Sequence, residues 1–158
     1  MWVSVLDANS GHSLFTIKGR PQSDGTILPF RALSGLALTE HTVVVAEADV
    51  IHVLDRESRQ WVRSIGQPKP MYSIYTPLQN RHKRIRGELF GVISFVAIHN
   101  SQLIVSDREQ KCVYVLGLDG SLRLRLDLAF EPVCAFVAAG RELCVLQNKP
   151  TPHFSFYR

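Results

Sequence analysis

Residues 87–127 read GELFGVISFVAIHNSQLIVSDREQKCVYVLGLDGSLRLRLD. The stretch holds four short β-type runs: Phe95-Val-Ala-Ile98, Leu103-Ile-Val105, Cys112-Val-Tyr-Val-Leu116 and Leu122-Arg-Leu-Arg-Leu126. Turn chemistry fills each gap, as His99-Asn-Ser-Gln102, Asp107-Arg-Glu-Gln-Lys111 and Leu118-Asp-Gly-Ser121. The Asp-Gly pair in the last gap is a strong hairpin signal, because both residue types tolerate the positive φ that a tight turn needs. Four alternating runs joined by short turns predict a four-stranded antiparallel meander.

The same pattern extends outward in both directions. In residues 30–66, Leu36-Ala-Leu38 matches Val96-Ala-Ile98, and Val43-Val-Val-Ala-Glu47 matches Leu103-Ile-Val-Ser-Asp107. His52-Val-Leu54 matches Tyr114-Val-Leu116, and Trp61 to Ile65 stands in for Leu122 to Leu126. Residues 3–19 form a hairpin whose Val3-Ser-Val-Leu-Asp7 lies over Ile51-His-Val-Leu-Asp55. At the far end, Phe136-Val-Ala138, Glu142 to Leu146 and Phe154 to Tyr157 supply about three further strands. Residues 20–29 (RPQSDGTILP) read as a loop rich in Pro, Gly, Ser and Asp. Four strands recurring at about 40–60 residues mark the blades of a β-propeller.

We therefore expect one all-β, propeller-like domain over residues 1–158. It comprises a half blade (3–19), two blades (30–66 and 89–127) and a partial blade (130–158), with a connector loop at 67–88. The sum is a little over three blades, whereas single-chain rings use about four or more. Self-association or a partner chain is expected to complete the ring.

The repeat resembles the NHL family of propellers. Gly25-Thr-Ile-Leu-Pro-Phe30 and Gly35-Leu-Ala-Leu38 resemble that family's connector and first strand. Leu103-Ile-Val-Ser-Asp107, Cys112 to Leu116 and Asp119-Gly120 resemble the remainder. Glu47 and Gln147 stand where the family closes its second strand on an acid. The resemblance implies a face for binding partners, which in some members grips single-stranded RNA.

Composition narrows the function classes. A hydrophobic content of 46% with 20% charged residues describes an ordinary folded chain, and a net charge of +4 permits an acidic partner without requiring one. No apolar run approaches the roughly 20 residues of a membrane-spanning helix. The N-terminus lacks a basic region before its short apolar run, so no signal peptide is expected. Three cysteines, Cys112, Cys134 and Cys144, are an odd count at unrelated spacings, and reduced, buried thiols in a cytoplasmic or nuclear protein are expected.

In a meander, the turns between second and third strands share one face with the blade-to-blade connectors. On that face we expect Glu47-Ala-Asp49, Asp107 to Lys111, Gln147 to Pro152, the 20–29 loop and the 67–88 connector. The connector carries Arg81, His82, Lys83, Arg84 and Arg86 behind Tyr72 and Tyr75, a combination of phosphate-binding cations and stacking rings. Tyr72, Tyr75, Arg81, Lys83, Arg84, Arg86, Arg108 and Lys111 are thus the candidate residues for a protein partner or RNA. A solvated loop is the bland alternative.

Glu47 and Asp107 close equivalent strands. They would either hold a metal, as in propeller hydrolases, or accept hydrogen bonds from their own turns. The six histidines (His12, His41, His52, His82, His99 and His153) lack metal-ligand spacing. No Gly-x-Ser-x-Gly elbow or phosphate-binding glycine loop is present, so no catalytic residue or cofactor is assigned. Arg123 and Arg125 alternate with leucines as in an outer strand with one buried and one wet face. Trp2 and Trp61 read as core or blade-packing residues.

Overall fold

The computed structural model describes residues 1–66, 89–138, 142–148 and 151–157. Among them are β-strands and no helix. The chain divides into two units, Met1–Leu33 and Ser34–Arg158.

In the first unit, β1 (Val3–Leu6) and β2 (Ser13–Ile17) pair as an antiparallel hairpin, with Val3 opposite Ile17. Trp2 is 68% exposed, not a packing residue. Val3 is buried at the start of β1, so its neighbour one position earlier takes the opposite direction, as strand alternation requires. The 20–29 segment is a second small hairpin rather than a loop. There β3 (Gly19–Pro21) pairs with β4 (Ile27–Pro29). The Thr26 amide and hydroxyl donate to Asp24 Oδ1 at 2.9 and 2.7 Å, and Gln22 N donates to Thr26 O at 2.8 Å. These bonds fold the segment back on itself, and glycine at 19 lets the Leu28 carbonyl close where a Cβ would collide.

The second unit contains three antiparallel sheets. The first joins β5 (Leu33–Leu38), β6 (Thr42–Glu47), β7 (Val50–Asp55) and β8 (Trp61–Ile65) in sequence order. The second joins β9 (Ile93–His99), β10 (Gln102–Asp107), β11 (Cys112–Gly117) and β12 (Leu122–Asp127) in the same way. The third holds β13 (Pro132–Val137), β14 (Leu143–Gln147) and β15 (His153–Tyr157). The β9–β10 turn places Asn100 and Ser101 at φ 47° and 59°, the two positive values of a two-residue hairpin whose twist suits its strands.

The second sheet is buried on both faces. Val96, Leu103, Val105 and Tyr114 pack against Val44 and Ile51 of the first sheet. Ile104 and Val113, on the opposite face, pack against Ala135 and Val145 of the third. β6 and β10 consequently read as continuous apolar runs. The outer strand β12 departs from expectation, because Leu122 and Leu124 are exposed. Leu126 joins the inter-sheet cluster and Leu124 does not. Arg125 lies 5.4 Å from the Tyr114 ring centre and pairs with Asp127 at 2.8 Å.

One turn design recurs. Asp7, Asp55 and Asp107 each accept the amide of the residue three positions on, namely Ser10 (2.7 Å), Ser58 (2.7 Å) and Gln110 (2.9 Å). The following residue has positive φ in each case: Gly11 at 71°, Arg59 at 61° and Lys111 at 51°. Asp119 accepts from the amide and hydroxyl of Ser121 at 3.0 and 2.6 Å, with Gly120 at φ 88°.

Two outcomes are expected. Bonds from Ser58 and Ser121 hold the Asp55 and Asp119 carboxyls below the usual 3.8. A folded pKa below the unfolded one contributes stability above the unfolded value, and that contribution fades as pH falls through the folded one. Denaturant titrations between pH 6 and 2 should therefore show an acid loss that is shallower in a D55N/D119N variant. Ser106 Oγ is buried without a hydrogen-bond partner, at the position Ala46 occupies in the first sheet. Ser106→Ala should raise unfolding free energy by about 1 kcal/mol, because it removes an unsatisfied buried hydroxyl.

Candidate functional site

The turns between β6 and β7, β10 and β11, and β14 and β15 lie at the same end of the three sheets as the first residues of β9 and β13. Three hydrogen bonds fix this end. Ile93 N donates to Ala48 O at 2.6 Å, joining the first turn to the start of the second sheet. Ser94 Oγ donates to Pro132 O at 2.8 Å, joining the second sheet to the start of the third. Leu128 N donates to Lys111 O at 2.7 Å.

Asp107 is a heavily bonded acid at this end. It is fully buried, and its carboxylate accepts from Gly91 N (2.6 Å), Val92 N (3.2 Å) and Gln110 N (2.9 Å). Gln110 continues the network. Its Nε2 donates to Leu89 O at 3.0 Å, and its Oε1 lies 2.8 Å from the Tyr114 hydroxyl. Burial, then the neighbouring Cys112, holds the Tyr114 phenol well above its ordinary pKa, so it serves as a neutral donor. The Asp107–Lys111 turn and residues 89–92 thus form one hydrogen-bonded block.

Glu47, which matches Asp107 in the repeat, is satisfied differently. Its Oε2 lies 3.0 Å from His52 Nε2, and His52 Nδ1 lies 2.9 Å from Ser64 Oγ. The carboxylate only accepts, which assigns the proton to Nε2 and leaves Nδ1 to accept the Ser64 hydroxyl. Glu47 and His52 are buried, Ser64 is exposed, and Trp61 meets the His52 ring edge-on at 4.9 Å. The network ties β6, β7 and β8 together. The sequence pattern places His52 on a strand without assigning it a partner. The cross-strand pairing of His52 with Ser64 follows from hairpin register, but the reach of Glu47 depends on the geometry of its turn.

Of the sequence candidates, Arg108 and Lys111 sit on the Asp107 turn with exposed side chains. Tyr72, Tyr75, Arg81, Lys83, Arg84 and Arg86 lie outside the described residues. Among the described residues, no group of three or more His, Cys, Asp or Glu side chains stands close enough to hold a metal ion. Cys112 and Cys144 are buried and Cys134 half-buried, all as free thiols. Burial raises the pKa of Cys112 and Cys134, which makes these two poor nucleophiles at neutral pH.

Asp107→Ala would strip a charged acceptor from three amides, two of them in the connector to β9. It should cost about 3 kcal/mol of stability, measured by denaturant unfolding.

No family model and no curated protein matches the sequence. Solved structures do match in fold. Hydrazine synthase of Kuenenia stuttgartiensis superposes with a TM-score of 0.66 at 12% identity, over 98% of this chain and 39% of that one. Sqt1 of Saccharomyces cerevisiae gives 0.61 at 9% identity, over 99% of this chain and 38% of that one. A chain of the Mitotic Checkpoint Complex gives 0.62 at 9% identity, over 99% and 43%. The chain therefore spans about two fifths of the length of each of these three structures. Its four-stranded antiparallel sheets and these neighbours together make it an all-β chain of β-propeller type.

Proposed function

We propose that the chain is an NHL-type propeller segment acting as a non-catalytic interaction module. It binds a protein partner through the face that carries the Asp107–Lys111 turn, and association completes its ring. The observation that carries this reading is the combination of a fixed backbone and exposed cationic side chains on that turn. Asp107 and Gln110 tether the turn to residues 89–92, while Arg108 and Lys111 remain exposed. A pre-ordered loop meets a partner without a further ordering cost. Lys111 also holds φ 51°, a conformation costing a side-chain-bearing residue about 1 kcal/mol, where the first hairpin uses Gly11. A strained residue retained at an exposed turn supports a role in contact. The chemistry of Glu47 and Asp107 favours structure over metal catalysis, because both carboxylates are engaged by protein donors.

The test is photocrosslinking in cells, with a benzophenone amino acid at position 108 and, as control, at Arg56 on the opposite-end turn. A discrete protein adduct from position 108 alone is expected. Lys111→Gly should abolish that adduct while leaving the protein at least as stable. Identical adducts from both positions, or none, would overturn the reading. An adduct removed by ribonuclease would transfer the function to RNA binding, with Arg81, Lys83, Arg84 and Arg86 as the next residues to replace.

A further inference from the structure

Glu47, His52 and Ser64 place a carboxylate, an imidazole and a hydroxyl in line across three neighbouring strands. The two ends of the line differ in environment. Glu47 is 3% exposed and His52 not at all, whereas Ser64 stands exposed on β8. The Ser64 hydroxyl hydrogen goes to His52 Nδ1, across 2.9 Å, so the lone pairs of its oxygen remain for an electrophile. A nucleophile bonded to a base, with that base oriented by an acid, is the arrangement that activates a serine for acyl transfer.

The strand that carries Ser64 is pinned on both sides of it. Arg63 Nη1 donates to Asp119 O at 3.3 Å. Ile65 is buried, and its side chain lies 3.2 Å from where a Cβ at Gly120 would stand. Both contacts are with the turn between β11 and β12, so the second sheet sets the position of the hydroxyl. The imidazole is held as firmly. Glu47 Oε2 bonds its Nε2 at 3.0 Å, and Trp61 meets the ring edge-on at 4.9 Å. Fixed geometry of this kind lowers the entropic part of a reaction barrier.

We infer that Ser64 is a covalent modification site that accepts one acyl group from an activated ester or thioester. In the step, Ser64 Oγ bonds to the carbonyl carbon of the donor while its proton passes to His52 Nδ1. The bond from that carbon to the leaving group breaks, and its electron pair departs with the thiolate or alkoxide. Glu47, a positioning residue, holds the ring and stabilises the imidazolium that forms. An exposed strand offers no enclosed cradle for a carbonyl oxygen, so the donor itself must carry a good leaving group. His52 is closed to solvent, and as an imidazolium it cannot activate water, so the acyl group is retained. One acceptance per chain makes Ser64 a modified residue rather than a catalyst of turnover.

p-Nitrophenyl acetate is the probe, with nitrophenolate followed by absorbance and the acetyl group located by peptide mass spectrometry. A burst of about one equivalent of nitrophenolate per chain is expected, with the acetyl group on Ser64. Ser58 is an exposed serine whose hydroxyl donates to Asp55 Oδ1 at 2.6 Å, and it should stay unlabelled. Ser64→Ala, an exposed change that spares the core, should remove the burst. His52→Gln should slow acetylation of Ser64 by about a hundredfold. Glu47→Gln should slow it by about tenfold with the final extent unchanged, a split that partial unfolding would not produce. Acetylation of Ser64 no faster than that of Ser58, or at one rate in the wild type and His52→Gln, would overturn the inference. Continuous release of nitrophenolate that Ser64→Ala abolishes would also overturn it, by making the chain a hydrolase. The inference does not rest on the interaction reading, and crosslinking from position 108 is read independently of it.

Discussion

Burial of the second sheet on both faces is the constraint from which the larger unit is built. An antiparallel sheet with one wet face alternates polar and apolar residues along each strand. β10 does not, because Leu103 and Val105 go to one neighbour while Ile104 goes to the other. Each face needs a complementary sheet, and those sheets in turn present outward faces of their own. Stacking of this kind has no natural end within three sheets. On the third sheet, Phe154 and Phe156 of β15 are exposed.

Polar groups control how the stacked sheets are joined. Asp107 gathers two amides of the connector and one of its own turn, and Ser94 bonds forward to Pro132. Buried backbone donors at strand ends have to be satisfied, and a buried carboxylate is stable only when it is well bonded. Both requirements are met by the same bonds. The Asp107–Lys111 turn is therefore tied to the connector, and its outward side chains, Arg108 and Lys111, are positioned by those bonds.

Much of the strand plan was legible in the sequence. Asp119-Gly120 and the Asp-Arg-Glu turns at 55 and 107 carry local chemistry that acts through bonds spanning a few residues. The 20–29 hairpin was not legible, because Pro21 and Pro29 bracket a turn whose pairing depends on the glycine at 19 admitting a carbonyl. The partnership of Glu47, His52 and Ser64 was hidden for a different reason. It joins three strands, and only the register of β7 with β8 brings the hydroxyl to the ring. For the candidate face, the topology of a meander was enough to place Arg108 and Lys111 on the turn between second and third strands.

Outside residues 20–29, the sequence by itself determined the strands, their antiparallel order and the turns, since each depends on alternation and on side-chain bonds to nearby amides. Tertiary structure alone decided which apolar residues were covered. Leu124 and Leu126 are the same residue type on the same face of β12, and a sequence pattern cannot separate them. Leu126 joins the cluster between the second and third sheets and Leu124 is exposed, because burial depends on what lies across the interface rather than on the residue itself.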